Sequence, residues 1–144
     1  MKVEQSMRKV NGYALWIGNA GDLRDARTLL TNEIEAVIEL GDSEPFAVLP
    51  RELIRCRFPL SDGGDNPAWL LRLATESVAA MIRAKVPVIV CCSAGMSRSV
   101  SVAAGALALA DGHTLTESLS VVVGNGPADI SPGLWAQLES ALGL

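Results

Sequence analysis

Between Val88 and Ser101 the chain runs VIVCCSAGMSRSVS and changes character twice. Val86–Cys91 is an almost continuous apolar run, the pattern of a central strand covered on both faces. The strand ends at Cys92, and Ser93, Ala94, Gly95, Met96 and Ser97 form a loop of mostly small residues. From Ser97 to Ala110 the chain is Ala/Val/Leu-rich nearly all round, and a helix with so little polar surface is normally buried. The loop therefore falls beyond the carboxyl end of a buried strand, where open α/β sheets bind their ligands.

The flanking sequence alternates in the same way. Upstream, Tyr13–Ile17 reads as a strand followed by a turn at Gly18 and Gly21, with Asp22 as cap of a short helix through Leu29 and Leu30. Ala36–Leu40 is a second strand. From Ile54 to Leu60 a period of two puts Ile54, Cys56, Phe58 and Leu60 on one face and Arg55 and Arg57 on the other, as in a strand near a sheet edge. Ser61–Asn66 is a loop by composition; Asp65 or Asn66 is placed to cap the next helix, which Pro67 opens and which runs to about Lys85. Downstream, Asp111-Gly112 ends the buried helix, and Thr114 with Glu117 makes a capping box for a helix to Val123. Gly124–Ser131 is a loop, after which Ser131 caps a terminal helix opened by Pro132. Strands separated by helices predict an α/β fold with a central, mainly parallel sheet flanked by helices. Residues 1–144 show no repeat or linker and are expected to form one domain.

Composition narrows the function. With 144 residues, 49% hydrophobic and only 4% aromatic, the core must be built from Ala, Val, Leu and Ile. A net charge of -4 argues against a nucleic-acid binder that neutralises phosphates. Val100–Ala110 is too short to span a bilayer, so no membrane role is expected. The three cysteines, Cys56, Cys91 and Cys92, have no framework spacing, and adjacent Cys91 and Cys92 point to opposite sides of an extended chain. With a polar, charged Met1–Val10, they suggest a cytoplasmic monomer.

The loop also carries the chemistry. Its residues Ser93 to Ser97 can curl so that several amides face one centre, with Gly95 supplying backbone freedom. Those donors, the helix N-terminus and the guanidinium fork of Arg98 together suit a tetrahedral oxyanion. The same field favours the thiolate of Cys92 as a nucleophile toward a phosphorus held there. Ser99 is placed to donate a hydrogen bond to that sulfur. A leaving oxygen needs a proton, and Asp62 and Asp65 on a facing loop are the two candidates. Asp62 is preferred because Asp65 is placed to cap a helix.

Cys92-Ser-Ala-Gly-Met-Ser-Arg98-Ser99, following a strand and opening a buried helix, resembles the signature loop of the dual-specificity branch of the protein tyrosine phosphatases. The resemblance covers nearly the whole chain. Leu15–Ala20 and Ile34–Leu40 are similar to the family's first strands, Phe58–Asp62 to its acid-bearing segment, and Gly133–Leu138 to the start of its last helix. It implies a phosphomonoester hydrolase that uses no metal or cofactor and acts through a phosphocysteine. Cys92 matches the nucleophile, Arg98 the phosphate clamp, Asp62 the general acid and Ser99 the hydroxyl that assists turnover. Substrates would be phosphorylated proteins, phosphotyrosine first, with phosphoserine/threonine and non-protein phosphates left open. Two departures stand out: Cys91 occupies the place of the family's usual His, and Gly124–Ser131 lacks its Arg-Pro and Pro-Asn pairs. The alternative is a catalytically weak phosphate-binding module of the same fold. Sulfur transfer by a rhodanese-like loop fits less well, because that loop has one residue fewer between Cys and Arg.

Overall fold

Residues 7–42, 48–124 and 126–144 are described by the computed structural model of the chain. Its strands are β1 (Arg8–Lys9), β2 (Leu15–Asn19), β3 (Ala36–Glu39), β4 (Ile54–Arg57) and β5 (Val88–Cys92). Its helices are α1 (Ala26–Thr31), α2 (Ala68–Arg83), α3 (Arg98–Asp111), α4 (Leu115–Val123) and α5 (Pro132–Leu142), with a 3-10 turn over Ala20–Arg24. The strands make one sheet in the order β1-β2-β5-β3-β4. β1 pairs antiparallel with β2 and every other pairing is parallel, so the expected mainly parallel α/β architecture is observed.

The alternation of side chains along each strand divides the core. Leu15, Ile17, Ile38, Val88, Val90 and Cys92 face one side, where α2, α3, α4 and α5 cover them. Trp16, Val37, Ile89 and Cys91 face the other, under the 3-10 turn and α1. Cys91 and Cys92 thus point apart, as expected of neighbours on a strand. Every residue of α3 from Arg98 to Ala108 is buried, which fits its nearly all-apolar sequence. Val100, Val102 and Leu107 are fully buried there, at about 1.5–3 kcal/mol for each such side chain, and this fixes the direction of the helix N-terminus.

Several boundaries differ from the sequence reading. The first parallel strand is Leu15–Asn19 rather than 13–17, because its ladder matches Leu15 to Val88 and Asn19 to Cys92. Tyr13 belongs instead to the turn after β1, where its amide donates to Val10. β1 itself was not expected; two residues carry no readable period. Asp22 does not open α1: it is the third residue of a capping box on Asn19, and Asp25 caps α1. Neither Asp65 nor Asn66 caps α2, whose N-cap is Pro67 with no side-chain bond. β4 lies at the sheet edge as predicted but ends at Arg57. Beyond it, Phe58 and Leu60 still donate to Glu39 and Leu40, which carries the chain along β3 toward the end of β5. The capping box of Thr114 and Glu117 and the Ser131 cap form as read.

Candidate active site

At the carboxyl end of β5 the five residues before α3 curl around one sulfur. The Gly95 amide donates to Cys92 Sγ at 3.3 Å and the Ser99 amide at 3.4 Å, while Ser99 Oγ lies 3.2 Å away. Ser99 is fully buried and Cys92 is only 4% exposed, so water does not replace these partners. Gly95 has a φ of +72°, and a Cβ there would stand 2.8 Å from the Gly18 carbonyl oxygen. A side chain at this position would be strained in backbone and in packing alike. The expected curl of the loop is therefore present, and glycine is what permits it.

Above the sulfur is a cavity of about 120 Å³, lined by the loop, by Arg98 and by two carboxylates, Asp62 and Asp129. Arg98 is buried and its fork is oriented: Nη1 donates to the Leu60 carbonyl at 2.9 Å and to Asp42 at 3.1 Å, and Nη2 donates to Ser93 Oγ at 2.8 Å. Asp62 reaches the loop directly, accepting from Ser97 Oγ at 2.6 Å. Asp65 neither lines this cavity nor caps a helix, so the cap that counted against it in the sequence is not formed.

The surroundings hold this arrangement from three sides. Asn66 ties the acid loop together, accepting from the Ser61 amide and donating to the Ser61 and Gly63 carbonyls. Gln137 of α5 clasps Asn66 in turn, accepting from its amide at 3.0 Å and donating to its carbonyl. On the far side, the Asp129 amide donates to the Met96 carbonyl at 2.9 Å, and the Ser131 amide donates to Ser97 Oγ at 3.0 Å. Segment 126–131 therefore supports the loop through its backbone, without the pairs that the resemblance led one to look for. Below, burial and then the charges of Asp22, Cys92 and Glu39 push the Cys91 thiol well above the usual range, which keeps it protonated.

Asp42, Asp129 and Gln137 were not singled out by the sequence. Asp42 and Asp129 sit in loops without a motif, and only tertiary structure brings Asp129 to the cavity and Asp42 to Arg98. Gln137 lies inside the segment that resembles the family's last helix, which was the one available signal.

No protein family model matches the chain, and no curated protein does. Among solved structures, a mouse putative dual specificity phosphatase complexed with zinc tungstate superposes with a TM-score of 0.85 at 24% identity, covering 99% of this chain and 90% of that one. The fold is that of the dual-specificity phosphatases. Human DUSP28 superposes with a TM-score of 0.84 at 22% identity over 98% of this chain and 95% of its own. PTPMT1, solved in complex with PI(5)P, gives 0.76 at 16% identity over 96% of each chain. The three superpositions span between 96% and 99% of this chain. Among the described residues, no helix is long and apolar enough to cross a membrane.

Proposed function

We propose that the protein is a cysteine-dependent phosphomonoester hydrolase of the dual-specificity type, acting through a phosphocysteine on Cys92. The observation that carries this reading is the convergence of two amide donors and the Ser99 hydroxyl on Cys92 Sγ at the floor of a cavity that also holds Arg98 and Asp62. Hydrogen bonds from neutral donors to a sulfur favour its anionic form.

In the first step Cys92 Sγ forms a bond to phosphorus while the substrate P–O bond breaks. Asp62 delivers its proton to the leaving oxygen; because Oδ1 is held by Ser97, the proton is carried on Oδ2. Amides of Ser93 to Ser97 and the Arg98 fork hold the phosphoryl oxygens, with the Ser93 and Asp42 contacts of Arg98 exchanged for substrate. In the second step the Asp62 carboxylate takes a proton from water as that water attacks phosphorus. The P–S bond breaks, inorganic phosphate leaves, and the Ser99 hydroxyl stabilises the departing thiolate.

The substrate in this reading is a phosphorylated protein, phosphotyrosine first and phosphoserine/threonine second, met by a monomer in the cytoplasm. Among the described residues, two aspartates and one arginine line the cavity, which supports a singly phosphorylated side chain over a polyanionic ligand. A phosphate-binding module is the competing reading, favoured by the neutral, buried Cys91 beside the nucleophile. Turnover of para-nitrophenyl phosphate separates them. Hydrolysis that disappears in Cys92→Ser is expected; binding of phosphate without any Cys92-dependent hydrolysis would establish the module instead.

A further inference from the structure

Arg8 has no part in the cycle above, yet it is connected to it. It lies on β1 opposite Ile17 of β2. Cross-strand partners share a face of the sheet, and Ile17 is on the face that carries Val90 and Cys92. The Arg8 side chain therefore leaves the sheet on the nucleophile's side. Lys9, next along the strand, goes the other way and stands over Trp16 at 5.6 Å from the ring centroid.

The Arg8 guanidinium grips the segment that supports the catalytic loop. Its Nη2 donates to the Pro127 carbonyl at 2.9 Å. A Cβ at Gly126 would stand 2.3 Å from Arg8 Nε and 2.6 Å from Cδ, so the side chain crosses Gly126 through space that only glycine leaves open. Asp129 and Ser131 of the same segment bond Met96 and Ser97. A continuous set of contacts thus runs from the first strand to the residues around the Cys92 sulfur.

We propose that Arg8 is a positioning residue for the nucleophile, holding segment 126–131 against the phosphate loop and placing a second guanidinium on the Cys92 side of the sheet. This rests on the phosphatase reading and extends it. Burial lowers the proton affinity of Arg8 and a negative charge at Cys92 raises it, which agrees with two groups that sense each other. An arginine stays cationic throughout. Among the described residues, the other charged groups that line the cavity over Cys92 are Arg98 from α3, Asp62 from the loop after β4 and Asp129 from the loop before α5, and Asp42 meets Arg98. Three of these are carboxylates, so Arg8 adds a cation on a side of the sheet where acidic groups predominate.

The test is the pH dependence of Cys92 alkylation by iodoacetamide, followed on the Cys92 peptide by mass spectrometry, together with competitive inhibition by inorganic phosphate. Arg8→Gln is expected to raise the alkylation midpoint by about half a unit to one unit, less than a charge in direct contact produces, and to weaken phosphate inhibition several-fold. Gly126→Ala, which displaces the guanidinium without removing it, is expected to move both in the same direction and serves if Arg8→Gln does not fold. Lys9→Gln, on the opposite face, is expected to move neither. A midpoint unchanged in Arg8→Gln or in Gly126→Ala would overturn the proposal, as would an equal shift in Lys9→Gln. Alkylation does not depend on turnover. A wild-type Cys92 that alkylates only in the range of a free thiol would count against the phosphatase reading itself, whereas an acidic wild-type midpoint unmoved by Arg8→Gln counts against Arg8 alone.

Discussion

Removing the Ser99 hydroxyl tests how the site treats sulfur as a leaving group. Ser99 Oγ lies 3.2 Å from Cys92 Sγ and is one of three hydrogen-bond partners there, the other two being amides that no side-chain substitution removes. Because Ser99 is fully buried, Ser99→Ala leaves no route for water to replace the bond. A hydrogen bond to a charged partner contributes about 1.5–3 kcal/mol, and a soft sulfur acceptor belongs at the low end, giving about a 10- to 30-fold effect on the step that needs it. That step is hydrolysis of the phosphocysteine, in which the thiolate must depart. Stopped-flow hydrolysis of para-nitrophenyl phosphate should therefore show a burst of about one equivalent of nitrophenol in Ser99→Ala, followed by a kcat lowered by that factor. The value of kcat/KM, which reports formation of the intermediate, should fall by less. Equal falls in kcat and kcat/KM without a burst would refute the assignment, and so would an unchanged kcat.

Three further outcomes follow from the same geometry. Asp62→Asn should abolish the limb of the kcat/KM pH profile that requires a protonated acid for poor leaving groups, while largely sparing para-nitrophenyl phosphate; if Asp129→Asn does this instead, the acid has been misassigned. Gly95→Ala forces a left-handed backbone on alanine and drives its Cβ toward the Gly18 carbonyl, so phosphate inhibition should be lost and Tm should fall by about 4–10 °C in a thermal melt. Burial and neighbouring charges raise the Cys91 thiol well above a free thiol, so its contribution to stability is full well below about pH 8.5, where a free thiol is half ionised, and is lost as pH rises through that value toward the raised one. Denaturant titrations between pH 7 and 10 should show a steeper loss in the wild type than in Cys91→Ala, and parallel losses would contradict that account.

How much of this was legible in the sequence depended on whether the signal was local. The apolar run ending at Cys92 and the nearly all-apolar α3 announced a buried strand and a buried helix, because each pattern states its own burial. Caps written in one short segment, such as Thr114 with Glu117, were equally plain. Asp22 and Asp65 were misread because an acidic residue before a helix has several uses, and tertiary contacts choose among them. Asp22 closes a box on Asn19, and the acid loop is tied by Asn66 and Gln137 rather than by a cap. Cys92, Arg98 and Ser99 were readable because strand, loop and helix fix their spacing. Asp129 reaches the cavity, Asp42 reaches Arg98 and Arg8 reaches Pro127 from distant loops or across the sheet, and no periodicity records such an approach.

In the proposed cycle phosphate passes through Cys92. Rapid acid quench of the enzyme during turnover, followed by peptide mass spectrometry, measures this directly. A phosphoryl group on the peptide containing Cys92, enriched in Ser99→Ala and absent in Cys92→Ser, is the result expected. A phosphoryl group on another residue, or hydrolysis that persists at the wild-type rate in Cys92→Ser, would contradict it.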